Sequence, residues 1–156
     1  MENKVSVIGV RGVCPFERAV EHFVSRGGDV IILNPLYVYC EEQVLSAVEH
    51  AERAFRNGMN RSKTLLTEII MYVSGERQVS KALKRMRPAE GSEENVLVIL
   101  NVDDPALDEL GVTEDASILE GTPEKAEAMG LDDKGMDVDL RGLAMELVAM
   151  LDVEKL

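Results

Sequence analysis

Hydrophobic positions recur along this chain with two periods, and the switches between them mark out its elements. Lys4 to Val10 alternates and is rich in Val and Ile, which predicts a strand. Asp29 to Leu33 (DVIIL) reads as a short buried strand closed by Asn34-Pro35. Glu94 to Val102 (ENVLVILNV) is the strongest strand signal in the chain, and Ala116 to Glu120 is a weaker one. Between these runs the period lengthens to that of a helix. Pro15 can open a helix whose apolar face is Phe16, Ala19, Val20, Phe23 and Val24, stopped by Gly27-Gly28. A second is predicted from about Glu42 to Asn57, with Val44, Leu45, Val48, Ala51 and Phe55 inward. A polar elbow, Asn60 to Lys63, follows, with Ser62 as an N-cap. Lys63 to Val73 is then apolar nearly all round, the pattern of a buried helix, and Ser74-Gly75 breaks it. Arg77 to Arg87 is amphipathic: Val79, Ala82, Leu83 and Met86 face in, and Lys81, Lys84 and Arg85 face out. Asp103-Asp104-Pro105 starts a short helix, Thr122-Pro123-Glu124 caps another running to Met129, residues 130–138 read as a loop, and Leu140 to Leu151 closes the chain with a helix. The pattern describes an α/β protein, one domain over residues 1–156, with a small central sheet of about four strands flanked by helices and a helical segment at 41–87.

The 156 residues, 46% of them hydrophobic, suffice for a real core. No apolar run approaches the roughly 18 residues that span a bilayer, so no membrane association is expected, and the N-terminal stretch reads as a strand and not as a secretory signal. Cys14 and Cys40 form no CxxC and are expected to be buried free thiols in a reducing, cytoplasmic setting.

Net charge is −12, but it is distributed unevenly. Residues 53–88 carry 9 basic and 2 acidic side chains, whereas residues 89–156 carry 4 basic and 19 acidic. One basic block in an acidic chain marks an anion-binding or nucleic-acid surface and argues against general affinity for polyanions. Arg53 and Arg56 stand i,i+4 from Glu49 and Glu52 and are expected to be spent on those pairs. Arg61, Lys63, Arg77, Lys81, Lys84, Arg85 and Arg87 remain, beside two helix starts whose free N–H groups favour phosphate.

Catalytic apparatus is hard to find. His22 lies among apolar residues, and His50 sits beside Glu49 on the surface and has no second ligand at i+4. Cys14 precedes a helix start, which would lower its pKa, but no base partner is evident. VLVILNVDD resembles a magnesium-holding strand end at Asp103 and Asp104, yet no GxxxxGK[ST] loop accompanies it, and helix capping is the simpler role for those residues. No cofactor or metal site is expected.

Residues 47–86, AVEHAERAFRNGMNRSKTLLTEIIMYVSGERQVSKALKRM, resemble the signature of the small regulatory subunit of the KEOPS complex, the PRPK-binding protein (TPRKB) family. Ala51, Arg53, Ala54 and Phe55 match its first part, Glu68, Ile69, Tyr72, Ser74 and Gly75 its second, and Arg77, Gln78, Val79 and Ala82 its third. The resemblance implies an α/β protein without an active site. Such a protein binds and stimulates the kinase-ATPase subunit of KEOPS and binds tRNA at its CCA end, for threonylcarbamoyladenosine formation. On this chain the residues expected to line the tRNA face are Arg61, Lys63, Arg77, Gln78, Lys81, Lys84 and Arg85, with Ser74-Gly75 letting the RNA backbone approach; only Tyr72 and a few aliphatics are there for base stacking, so phosphate contacts and an apolar shelf are expected to dominate. Leu143, Leu147, Met150 and Leu151 are the expected kinase contacts. A helix-turn-helix DNA-binding protein built on residues 63–87, or a small α/β enzyme using Asp103, Asp104 or Cys14, are the alternatives.

Overall fold

A computed structural model describes residues 3–132 and 139–153. Four strands, β1 (Val5–Arg11), β2 (Asp29–Leu33), β3 (Glu94–Leu100) and β4 (Thr113–Glu114), form an open antiparallel sheet in the order β2-β3-β1-β4. The described helices are α1 (Phe16–Val24), α2 (Glu41–Arg56), α3 (Leu65–Ser74), α4 (Val79–Met86), α5 (Leu107–Leu110), α6 (Pro123–Met129) and α7 (Leu140–Val153). The chain divides into two units, Met1–Pro35 with Arg87–Glu120, and Leu36–Met86 with Gly121–Leu156.

The first unit holds the sheet. β3 pairs with β1 from Val5↔Leu100 to Arg11↔Glu94, and with β2 from Asp29↔Leu100 to Leu33↔Val96. Every residue of β3 from Asn95 onward is buried, so the unbroken apolar run reflects a central strand covered on both faces, here within an antiparallel sheet. On one face Leu97 and Ile99 join Ala19 and Phe23 of α1, with Val10, Val30 and Leu110. On the other, β1 and β3 receive a 3-10 turn at Ala116–Leu119. Gly9 makes that contact possible, since a Cβ there would lie 2.7 Å from Ile118 Cβ. The weak strand expected at Ala116 to Glu120 is therefore a turn, and the fourth strand is the two-residue β4 before it. Asp115 explains the difference. Its side chain accepts the Ser117 N–H at 3.0 Å and caps a helical turn, which competes with extension.

Three further expectations change in this unit. Phe16 and Val24 of α1 are exposed, because nine residues present one buried line, Ala19 and Phe23, and the ends overrun it. α5 begins after Ala106, and neither Asp103 nor Asp104 is its cap. Asp104 accepts the Ala106 N–H at 2.9 Å, and Asp103 forms an exposed ion pair with Lys4, which holds its carboxyl below the usual range. The Cys14 thiol is buried, and burial pushes its pKa up, opposite to the lowering expected at a helix start.

The second unit is helical, and α2, α3 and α4 occupy the segment expected at 41–87. α3 and α7 pack on α2, α4 packs on α3, and α7 also meets α3. Gln43 is fully buried in this unit. Its Oε1 accepts the Tyr39 N–H at 2.7 Å, and its amide donates to the Tyr37 and Val73 carbonyls at 3.1 and 3.2 Å. One side chain thus ties the turn at Pro35–Tyr37 to α2 and α3. α7 buries Ala144, Val148 and Leu151; of the apolar face that the sequence predicts, Leu143, Leu147, Met150 and Leu151, only Leu151 is fully inside, Leu143 and Leu147 are partly buried and Met150 is exposed. Of the loop expected at 130–138, residues 133–138 lie outside the described residues.

Candidate nucleic-acid interface

The basic residues singled out in the sequence fall in the second unit, on the elbow before α3 and on α4. Glu68 organises the elbow. Its carboxylate is fully buried and accepts the Arg61 N–H at 3.0 and 3.1 Å, the Ser62 N–H at 2.9 Å and the Ser62 hydroxyl at 2.8 Å. A buried charge is tolerable only with such a set of donors. Ser62 is therefore committed to Glu68, and the N-cap of α3 is Thr64, whose hydroxyl accepts the Thr67 N–H at 3.2 Å. The reading of Ser62 as the cap missed this, because it weighed the nearest hydroxyl and not the distant carboxylate.

The elbow turns its basic side chains in different directions. Lys63 is exposed, whereas Arg61 is half-buried, with its Nε buried and without a hydrogen-bond partner. The Arg61 charge reaches the Tyr72 phenol and favours its ionised form. Arg77 and Gln78 are exposed in the two residues before α4. On α4, Ala82 and Met86 are buried while Lys81, Lys84 and Arg85 are exposed, as the amphipathic pattern predicts. Val79 and Leu83, expected inside, are 36% and 37% exposed, because an eight-residue helix on one neighbour buries only a narrow line. Among the described residues Lys63, Lys81 and Lys84 make no ion pair. Arg53 and Arg56 are likewise exposed and without an ion pair among the described residues, so the expected i,i+4 pairs with Glu49 and Glu52 are not formed. Helix spacing alone assigns those two arginines to ion pairs, and the structure returns them to the basic surface.

Arg85 is already engaged. Its Nη2 lies 3.1 Å from Glu76 Oε1, and its guanidinium carbon sits 5.6 Å over the centroid of the Tyr37 ring. The sequence places Arg85 on this surface and Glu76 within the basic block, but it marks neither Glu76 nor Tyr37 as a partner of Arg85. The available signal was an aromatic in the short connection between a strand and a helix, which periodicity does not weigh.

Two expected features are corrected. Tyr72 offers no stacking surface: it is fully buried, and its hydroxyl donates to Asp152. Burial, then the Asp152 carboxylate, pushes its pKa well above the ordinary tyrosine value. Gly75 has a structural use of its own. It ends α3 at φ +72°, and a Cβ there would lie 3.0 Å from the Leu147 side chain of α7. His50, read as a surface residue, is largely buried, and its Nδ1 meets the other oxygen of Asp152. The partners in this cluster are 80 and 102 residues apart, beyond any local pattern.

Of the apolar residues on α7, Leu151 is 1% exposed and serves the unit's own core. Leu143 and Leu147 are partly buried, while Met150 and Val153 are 50% and 57% exposed. Among the described residues no group of three or more His, Cys, Asp or Glu could hold a metal ion, and no helix is long and apolar enough to cross a membrane.

The sequence model of the family described as kinase binding protein CGI-121 matches residues 19–140. The KEOPS complex subunit Cgi121 of Pyrococcus abyssi (strain GE5 / Orsay) is 35% identical over 66 residues. That alignment covers 42% of this chain and 37% of the relative's length.

Proposed function

The chain belongs to the CGI-121 family of kinase binding proteins, and from that premise we propose that it is a non-catalytic, cytoplasmic subunit of a KEOPS complex. In this reading it binds and stimulates the kinase-ATPase subunit. It also binds tRNA through its CCA end, so that the complex can form threonylcarbamoyladenosine. The observation that carries the reading is the family match over residues 19–140, which includes the elbow and α4. The structure adds support of a separate kind. Lys63, Lys81 and Lys84 are exposed and unpaired among the described residues, in a chain whose net charge is −12. A small patch of that kind attracts phosphate, while the surrounding charge repels it elsewhere.

The kinase contact is assigned to the exposed side of α7, Met150 with the edges of Leu143 and Leu147. Leu151 is not available, because it is buried in its own unit. For tRNA the contacts are Lys63, Lys81 and Lys84, with Arg77 and Gln78 beside them and Arg61 behind.

Reconstitution of the same organism's KEOPS subunits tests both halves. Adding this chain is expected to raise ATP turnover by the kinase subunit and modification of tRNA. The double reversal Lys81→Glu with Lys84→Glu is expected to lower tRNA modification while leaving the kinase interaction intact. No effect of the chain on either activity contradicts the reading. Equal modification by the reversal removes the assignment to α4.

A further inference from the structure

We propose that Tyr37 and Arg85 form a preorganised stacking platform for an unpaired base of a single-stranded RNA end, an inference that rests on the tRNA-binding reading above. The guanidinium of Arg85 is fixed by two unlike contacts. One is the Tyr37 ring, 5.6 Å below it, and the other is the Glu76 carboxylate, 3.1 Å from its Nη2. The Arg85 side chain is still 40% exposed. The backbone that carries Tyr37 is anchored in turn, since its carbonyl accepts from the buried Gln43 amide at 3.1 Å. The Arg85 guanidinium is therefore held, and the backbone under Tyr37 anchored, before any ligand arrives, which lowers the ordering cost of binding.

The charge arrangement separates two jobs on α4. Glu76 neutralises Arg85, so this arginine offers phosphate little but offers a base a flat, polarisable surface. Guanidinium planes and aromatic rings are the usual stacking partners for bases splayed out of a helix. Lys81 and Lys84 stand at i−4 and i−1 from Arg85, both exposed and unpaired among the described residues. Residues four apart are neighbours on a helix. A nucleotide whose phosphate meets Lys81 thus has its base within reach of Arg85. Paired bases are already stacked in a duplex, so the platform selects an unpaired end.

A purely structural role, in which Arg85 only fastens α4 to the Pro35–Tyr37 turn, makes different predictions. The experiment is equilibrium binding of a complete tRNA, and of the same tRNA lacking its 3′-terminal trinucleotide, across a range of salt. Melting temperature is measured for each variant. The parent is expected to prefer the complete tRNA. Arg85→Lys keeps the charge and loses the plane. It is expected to lower that preference on the order of tenfold, with salt dependence and melting temperature unchanged. Tyr37→Leu should do the same, and Tyr37→Phe should behave as the parent. Lys81→Gln should weaken the complete tRNA more than the shortened one and, unlike Arg85→Lys, reduce the salt slope for the complete tRNA by about one unit. Folded Arg85→Lys and Tyr37→Leu variants that keep the full preference overturn the platform. A parent that binds both RNAs equally also overturns it, leaving a phosphate surface alone. A parent that binds neither overturns the tRNA reading and the platform together.

Discussion

Tyr72, His50 and Asp152 show what a single residue can hide. Asp152 accepts from the Tyr72 hydroxyl with one oxygen and meets the His50 ring with the other, joining α3, α2 and the last turn of α7. The sequence presents Tyr72 as an apolar helix position and His50 as a surface one, and both readings follow from local spacing. Neither could include Asp152, because hydrogen bonding across 80 or more residues leaves no periodic trace. The raised pKa of Tyr72 has a signed consequence. The native state favours the protonated phenol, so its contribution to stability is complete below the ordinary tyrosine pKa, about 10. It is lost as pH rises beyond that toward the native value. Tyr72→Phe should cost on the order of 1 kcal/mol at neutral pH by removing a hydrogen bond to a carboxylate. The stability gap between parent and variant should then shrink above pH 10. Denaturant unfolding at pH 7, 9 and 11 checks this. A gap that stays constant through pH 11 would count against the hydrogen-bonded phenol.

Among elements, those with long and regular patterns were legible and the short ones were not. β1, β2 and β3 lie where the alternation places them, and α2, α3, α4, α6 and α7 lie within two residues of their expected ends at each boundary. The segment at 116–119 went wrong because Ala116, Ile118 and Leu119 satisfy a short strand pattern as well as a turn, and Asp115 decides for the turn. On α7 Leu151 is buried as the pattern predicts, but Ala144 and Val148 take the buried positions before it in place of Leu143 and Leu147, for a packing reason. Hydropathy weights Leu143 and Leu147 above Ala144, but close approach to other helices favours a small side chain in the contact. Gly75 marks that closeness from the other side. It combines a left-handed φ of +72° with a Leu147 side chain that a Cβ would approach to 3.0 Å. Gly75→Ala should therefore destabilise the protein by about 1–2 kcal/mol from backbone strain, with a further cost from displacing Leu147. Thermal unfolding measures the sum. An unchanged melting temperature would mean that neither the backbone nor α7 is constrained there.

For the whole molecule, the charge distribution read from the sequence survives, but its use is narrower than the list of basic residues suggests. Arg85 is bound to Glu76, Arg61 is half-buried, and the lysines carry the exposed charge. Tyr37 and Glu76 entered the candidate site only through the structure, since the turn at Pro35–Tyr37 and the helix α4 are joined by geometry and not by sequence proximity. The family resemblance, in contrast, was fully legible, because its residues cluster in one segment of the chain.

The central claim is that this chain is a kinase-binding subunit, and co-purification with the kinase-ATPase subunit encoded in the same genome tests it most directly. The two chains, co-expressed with a tag on the kinase, are expected to elute together in a fixed ratio from size exclusion at physiological salt. Met150→Asp, at a position half exposed on α7, is expected to weaken the complex at least tenfold, as loss of a central apolar contact does, without unfolding the chain. A stable complex that Met150→Asp leaves intact would move the contact away from α7. Separate elution of the two parent chains at every concentration tried would contradict the account itself.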